Sequence, residues 1–376
     1  MSDFAQRFLN EDWELLPQAP RVYVGAFGKH PAWNDHLDDI GLLTASLVRL
    51  RRSLYGNGIA SQIEAAAWEK AGVERTLPAF DHTMLWRRGG ESIAGRIWSS
   101  RDGVGRSLFP MAAVAHCIGQ RFEFIASEVI PALEAAEAGC IASTAAVGVL
   151  SALAEAQRGL RLRAGGALDS IAVADSLVGV DGWTAYFSLD RTDLERVFHH
   201  LRVNFGIFAP GSNAWCSGEG AARSKVLRLP RVPGSTPVET LNAWLAFIAT
   251  QVDPAVPLLG IVPRTGTWID VIVGEPTGAD FFALRASLAA APLVTDVPYQ
   301  LDTESRQLIE PLLSEITRRR RLPGTSLLNG ESLAENREAA DRWLARFRGT
   351  SRSGFLRSLI PTGGSRASSR FDLKVS

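Results

Sequence analysis

Three apolar, β-prone runs follow one another at 81–87 (DHTMLWR), 92–99 (SIAGRIWS) and 107–116 (SLFPMAAVAH), with Gly89-Gly90 and then Asp102-Gly103 between them. Connections this short leave no room for the crossover that parallel neighbours need, so the runs must pair antiparallel. A further run, 21–27 (RVYVGAF), is rich in β-branched and aromatic residues and stops at Gly28, which marks a strand entering a tight loop. The chain is therefore built around an antiparallel sheet.

Helical spacing supplies the cover. Leu43, Leu47, Leu50 and Leu54 fall on one stripe of 42–54, with Arg49, Arg51 and Arg52 between them. Gly56 and Gly58 are expected to break that helix, and 59–71, with Ile63, Ala67 and Trp68, to form the second arm of an αα-hairpin. Asp38 or Asp39 stands where a helix cap is wanted. Segment 122–138 reads as a helix that Pro131 kinks or restarts, and 144–157 as another. The weakly charged stretch 138–154 reads as buried helix, not a membrane span.

The second half alternates again. Strands are expected at 170–174, 183–189 and 225–229, helices at 192–201 and 239–251, and a strand pair at 257–262 and 267–273 around Arg264-Thr265-Gly266, covered by a helix at 280–289. With 376 residues, the chain exceeds the size at which one core usually stops growing. The expected division is an N-terminal α+β domain (1–158), a second, smaller α+β domain (159–301), a peripheral helical extension (302–348) and a disordered basic tail (349–376). The extension has helices at 303–319 and 332–348. The tail carries Arg352, Arg357, Arg366, Arg370 and Lys374 against Asp372 alone.

Charge and cysteine usage exclude several functions. Lys plus Arg and Asp plus Glu are both 40, so no global field draws the chain to nucleic acid or anionic lipid. Cys117, Cys140 and Cys216 form no CxxC pair, which fits a reducing cytosol, and residues 1–12 lack the layout of a secretory signal. Gly25-Ala26-Phe27-Gly28-Lys29 is not a phosphate loop, having two residues between its glycines and His30 after the lysine. Gly218-Glu219-Gly220 falls short of a dinucleotide fingerprint. His30, Asp35, His36, Asp38 and Asp39 offer metal-ligand chemistry in one loop, although turn formation and helix capping explain the same residues. His199 and His200 are adjacent in a predicted helix and diverge, which suits solvated or capping roles. Most of the ten tryptophans fall where a core needs them, and Trp33, in a polar loop, does not.

Two segments resemble the TagF (ImpM-like) family of type VI secretion proteins. The first follows a pattern similar to G-x-x-G-K-x-P-x-x-G-D-F through Gly25, Gly28, Lys29, Pro31 and Asp35. Asn34 stands for the last glycine, where it is expected to supply a positive φ, and His36 stands for the aromatic. The second is similar to D-x-x-G-R-x-F-P-L through Asp102, Gly105, Arg106, Phe109, Pro110 and Met111, with Leu108 as an extra residue expected to shift the strand register by one. A weaker W-x-x-G likeness lies at Trp215–Gly218. The resemblance covers about the first 115 residues well.

It implies a longin-like α+β fold, a curved antiparallel sheet covered by helices. It also implies a non-enzymatic regulator without cofactor or metal. Such a protein represses secretion after translation through a forkhead-associated scaffold protein at the cytoplasmic face, with protein partners, no nucleic acid and no membrane insertion. Two alternatives stay open: a structural adaptor of a diverged secretion or contractile apparatus, and a metal-dependent hydrolase using the His30/Asp35/His36 loop. Lys29 and Arg106 are expected to pair with Asp35 or Asp102. Arg106 is expected to be held structurally, because 108–111 runs into a core.

Overall fold

The computed structural model describes residues 21–164, 179–210, 224–297 and 299–318. Its elements are β1 (Arg21–Lys29), β2 (His36–Ile40), α1 (Ala45–Leu50), a π-helical segment (Arg51–Ile59), α2 (Ala60–Glu64) and α3 (Ala67–Ala71). Strands β3 (Asp81–Arg88), β4 (Glu91–Trp98) and β5 (Met111–Ile118) follow. After short helical turns at Phe122–Phe124 and Ile125–Val129 come α4 (Ile130–Ala142), α5 (Ala146–Arg163), α6 (Gly179–Phe187) and α7 (Arg191–Phe205). The remainder is β6 (Lys225–Pro230), α8 (Pro237–Ala249), β7 (Leu258–Pro263), β8 (Trp268–Val273), a 3-10 helix (Gly278–Arg285) and α9 (Thr303–Arg318).

The eight strands form one sheet in the order β2-β1-β5-β4-β3-β7-β8-β6, and every pairing is antiparallel. The α+β class and the helix-covered antiparallel sheet are as expected. Alternate residues along each strand feed two separate cores. Val22, Val24 and Ala26 of β1 with Ala113 and Ala115 of β5 face α4 to α9, whereas Phe27, Ala112 and Val114 face α1 and the 3-10 helix. At some 25 cal/mol per Å² of apolar area, burial on both faces is the main stabilising contribution.

The two halves share that sheet. β3 pairs with β7 from His82↔Pro263 to Arg87↔Leu258, and the expected boundary at residue 158 falls inside α5. The seam is also bridged by charge. Fully buried Arg96 on β4 donates to Glu137 on α4 (2.8 Å), Thr83 (2.7 Å) and Asp81 (2.6 Å), and Arg264 from the β7–β8 turn reaches the same Asp81 and Glu137.

Several expectations are corrected. Gly56 and Gly58 do not break the helix, because the chain stays helical from Ala45 through Glu64. Gly58 instead permits close approach: a Cβ there would lie 2.6 Å from the Phe281 ring. Thr44, not Asp38 or Asp39, caps α1 by accepting from Leu47 N–H at 3.2 Å. Segment 183–189 is not a strand. Trp183 and Phe187 are an i, i+4 pair on α6, and Trp183 also meets Phe198, Trp244 and Phe247. The expected helix at 280–289 is the shorter 3-10 turn. α9 is not peripheral, since Ile309, Leu312 and Ile316 are buried in the helical layer. Pro131 sits in the first turn of α4, where a missing N–H costs little, so it restarts the helix. The expected strand at 170–174, the helix at 332–348, the tail and the Trp215–Gly218 likeness lie outside the described residues. No helix among those described is long and apolar enough to cross a membrane.

Candidate functional site

The two segments that carry the resemblance meet in space. β1 and β5 are neighbours, so the loop after β1 and the loop before β5 emerge at the same end of the sheet. Gly25 lies mid-strand opposite Val114, and Gly28 marks the end of the regular pairing, opposite Met111. Gly28 has φ +119°, and a Cβ on it would meet Pro110 O at 2.3 Å, so only glycine lets the backbones approach. The contact is sealed by Lys29 N–H donating to Pro110 O (3.2 Å) and Gly103 N–H donating to Trp33 O (2.6 Å). Pro31 lies in the turn between these contacts, and Gly105 at φ +91° closes the second loop, its N–H donating to Asp102 O (3.0 Å).

Four charges cross-link the loops. Asp102 is buried, and its carboxylate accepts from Lys29 Nζ (2.6 Å), Arg106 Nε (2.7 Å), Arg106 N–H (2.9 Å) and Val104 N–H (3.2 Å). Lys29 is equally buried and also reaches Asp35 at 3.3 Å. Arg106 bridges outward, donating to Asn34 O (2.7 Å) and Asp35 Oδ1 (3.2 Å). Burial works against ionisation of Asp102. The hydrogen bonds from Lys29 and Arg106 and the charge of Lys29 outweigh it and hold the carboxyl well below the usual range. The bond from Lys29 does most to lower Asp35, helped by His36 and Arg106 and opposed by partial desolvation.

The cluster has an inside and an outside. Lys29 and Asp102 are its buried core, whereas the Arg106 and Asp35 side chains are 55% and 71% exposed. The run after Arg106 does not enter a core at once: Leu108 is 56% exposed, and burial begins at Pro110 and Met111. The extra residue is absorbed in the loop, so the β5 register with β1 and β4 runs unbroken. Asn34 does not adopt a positive φ; its carbonyl serves Arg106 instead. His36 takes the place of an aromatic in kind, with ring contacts to Phe109 (5.1 Å) and Tyr55 (5.6 Å).

The metal-ligand arrangement is not assembled. His30 Nδ1 accepts from Ala32 N–H (3.1 Å), so Nε2 carries the proton and donates to Cys140 O (2.8 Å). Both nitrogens of His30 are thus engaged, while His36 Nδ1 lies 3.1 Å from Asp35 Oδ1 and its ring packs on Tyr55 and Phe109. Asp39 pairs with Arg51 (3.1 Å). Trp33 packs against His30 with ring centres 5.6 Å apart, which accounts for an aromatic in this loop. His199 and His200 flank Tyr299, whose hydroxyl lies 2.9 Å from His199 Nδ1. Cys117 and Cys140 are buried, and burial, with Glu137 nearby, pushes the Cys140 thiol up to about 12.

Other buried polar clusters gave no signal in the sequence. Arg228 and Asp270 pair through two bonds (2.7 and 2.9 Å), with Arg228 4.6 Å over the Trp268 ring. His116 lies between Thr44 Oγ1 (3.0 Å) and Glu91 (3.1 Å).

No protein-family model and no curated protein matches the chain. Among solved structures it is similar to PA0076 from Pseudomonas aeruginosa PAO1, with 25% identity over 35% of this chain and a TM-score of 0.27. The match spans 61% of that protein's length, less than two thirds of it. At that TM-score the likeness says nothing about function.

Proposed function

We propose that the protein is a non-enzymatic accessory protein of a type VI secretion system, a post-translational repressor acting through a forkhead-associated scaffold protein at the cytoplasmic face of the apparatus. The observation that carries this reading is the meeting of the two resembling segments: residues 73 apart in sequence, Lys29 and Asp102, form the buried centre of one ion cluster. In that arrangement Lys29 and Asp102 hold the loops together, and Arg106 and Asp35 present charge to a partner. Asp102 has four donors on its two oxygens, which suits an anchor and not a proton acceptor.

The test is cellular. Deleting the chain should raise substrate release by the secretion apparatus, and overproducing it should lower release. Unchanged release in both strains would overturn the proposal.

A further inference from the structure

The helical cover over β1 to β5 is interrupted beside the second loop. Between α2 and α3, Ala66 adopts φ +50°, a left-handed conformation that residues with a Cβ rarely adopt. Ala66 lies in the wall of a cavity of about 360 Å³ with Ile63, Trp68, Val73, Leu108 and Arg285. Two other cavities, between α7 and α8 and beside Trp86, offer only about 10 Å³ each, roughly room for one water. A volume of several hundred Å³ is what a side chain or ligand occupies.

Its wall also carries Gln62, Glu69, Thr76 and Arg285, and exposed apolar side chains stand beside them. Val73 is 90% exposed and Leu108 is 56% exposed; Val104, outside the cavity wall on the loop that carries Arg106, is 62% exposed. Leu108 is also the residue by which this sequence departs from the D-x-x-G-R-x-F-P-L pattern, so the extra residue supplies one wall. Arg285 is fixed by donating from Nε (3.1 Å) and Nη2 (3.0 Å) to Leu77 O, with its guanidinium 5.7 Å from the Trp68 ring centre. Among the described residues its Nη1 has no partner, nor has Nη1 of Arg106. Burial works against the charge on Arg285, with Glu69 opposing the effect, so a carboxylate placed there would be welcome. Glu69, the other charge in the wall, is exposed, and it favours the charge on Arg285 by less than burial opposes it.

We propose that this cavity receives a large apolar side chain from an extended peptide segment of the protein partner, with an Asp or Glu beside that anchor pairing with Arg285. Val73 is so exposed that a small molecule held within the cavity would leave most of it facing water, whereas a peptide running from Arg285 past Leu108 covers it. An aromatic or aliphatic anchor in a pocket, ringed by weaker contacts, is how such interfaces concentrate their affinity. The inference rests on reading the paired loops as a partner surface, and adds the chemistry of what they bind.

The test is selection of a random dodecapeptide phage library on the full-length chain, then calorimetry of the synthetic consensus peptide against wild type, Leu108→Asp and Arg285→Met. The expected consensus has a large apolar residue within two positions of Asp or Glu. Its affinity should fall at least tenfold in each variant while the unfolding midpoint of Leu108→Asp, an exposed position, is unchanged. No enriched peptide, or one that binds either variant as tightly as wild type, overturns the inference. No secretion component is present, so failure here is distinct from failure of the secretion reading.

Discussion

Replacing Lys29 and Arg106 separately with Ala should split stability from binding. Both cations touch the same Asp102 oxygen, at 2.6 and 2.7 Å, yet Lys29 is 3% exposed and the Arg106 side chain 55% exposed. Breaking a buried ion pair by removing one partner costs about 3 to 5 kcal/mol, because the remaining charge stays in low dielectric. Lys29→Ala leaves Asp102 with Arg106 Nε and two backbone N–H groups, which places the cost near the lower end, about 3 kcal/mol. At about 2 °C per kcal/mol for a large domain, the thermal midpoint should fall by about 6 °C. Arg106→Ala leaves Lys29 and both backbone donors on the buried Asp102 and removes a cation that is itself half-exposed, so its cost stays near that of an exposed pair, about 0 to 1 kcal/mol. Calorimetric or dichroism melts of both variants read the contrast directly. A loss for Arg106→Ala as large as for Lys29→Ala would refute the division of the cluster into a buried clamp and an outward pair.

Gly28→Ala should prevent stable folding, because the new Cβ meets a backbone carbonyl and φ stays positive; a soluble variant melting within 2 °C of wild type would contradict the close approach. His82 is buried, and burial lowers its pKa to about 3, with Asp81 opposing and Arg96 and Arg228 adding to the fall. The native state therefore excludes a proton that the unfolded chain binds below about pH 6.5, so stability present above that pH is lost on acidification at up to about 1.4 kcal/mol per pH unit. In His82→Gln the decline measured by urea unfolding between pH 6.5 and 4.5 should be shallower, and an unchanged slope would remove His82 as its cause.

Much of the sheet was legible because its signals are local. Strands β1, β3, β4, β7 and β8 announce themselves by β-branched and aromatic runs with glycine turns. The joining of β3 to β7 was not legible, since no local pattern says which edge of one half meets the other. Trp183 and Phe187 misled because an aromatic-rich run suits a strand equally well, and only their contacts with Trp244 and Phe247 on α8 settle the helix. At the site, the pairing of Lys29 and Arg106 with Asp35 and Asp102 could be anticipated from residue types. Which pair is buried could not, because burial depends on how deeply the loops sink between β1 and β5. The cavity was invisible: Ala66, Val73 and Arg285 come from separate stretches, and only the extra Leu108 stood out in the sequence.

The most direct measurement is titration of the purified forkhead-associated scaffold protein into the wild-type chain and into a variant carrying Arg106→Ala with Asp35→Ala, with melting curves of both. Wild type should bind, and the double variant should bind at least tenfold more weakly with its midpoint within about 2 °C of wild type. Equal affinity for the two, or no binding by wild type, would contradict the assignment of the paired loops as the partner surface.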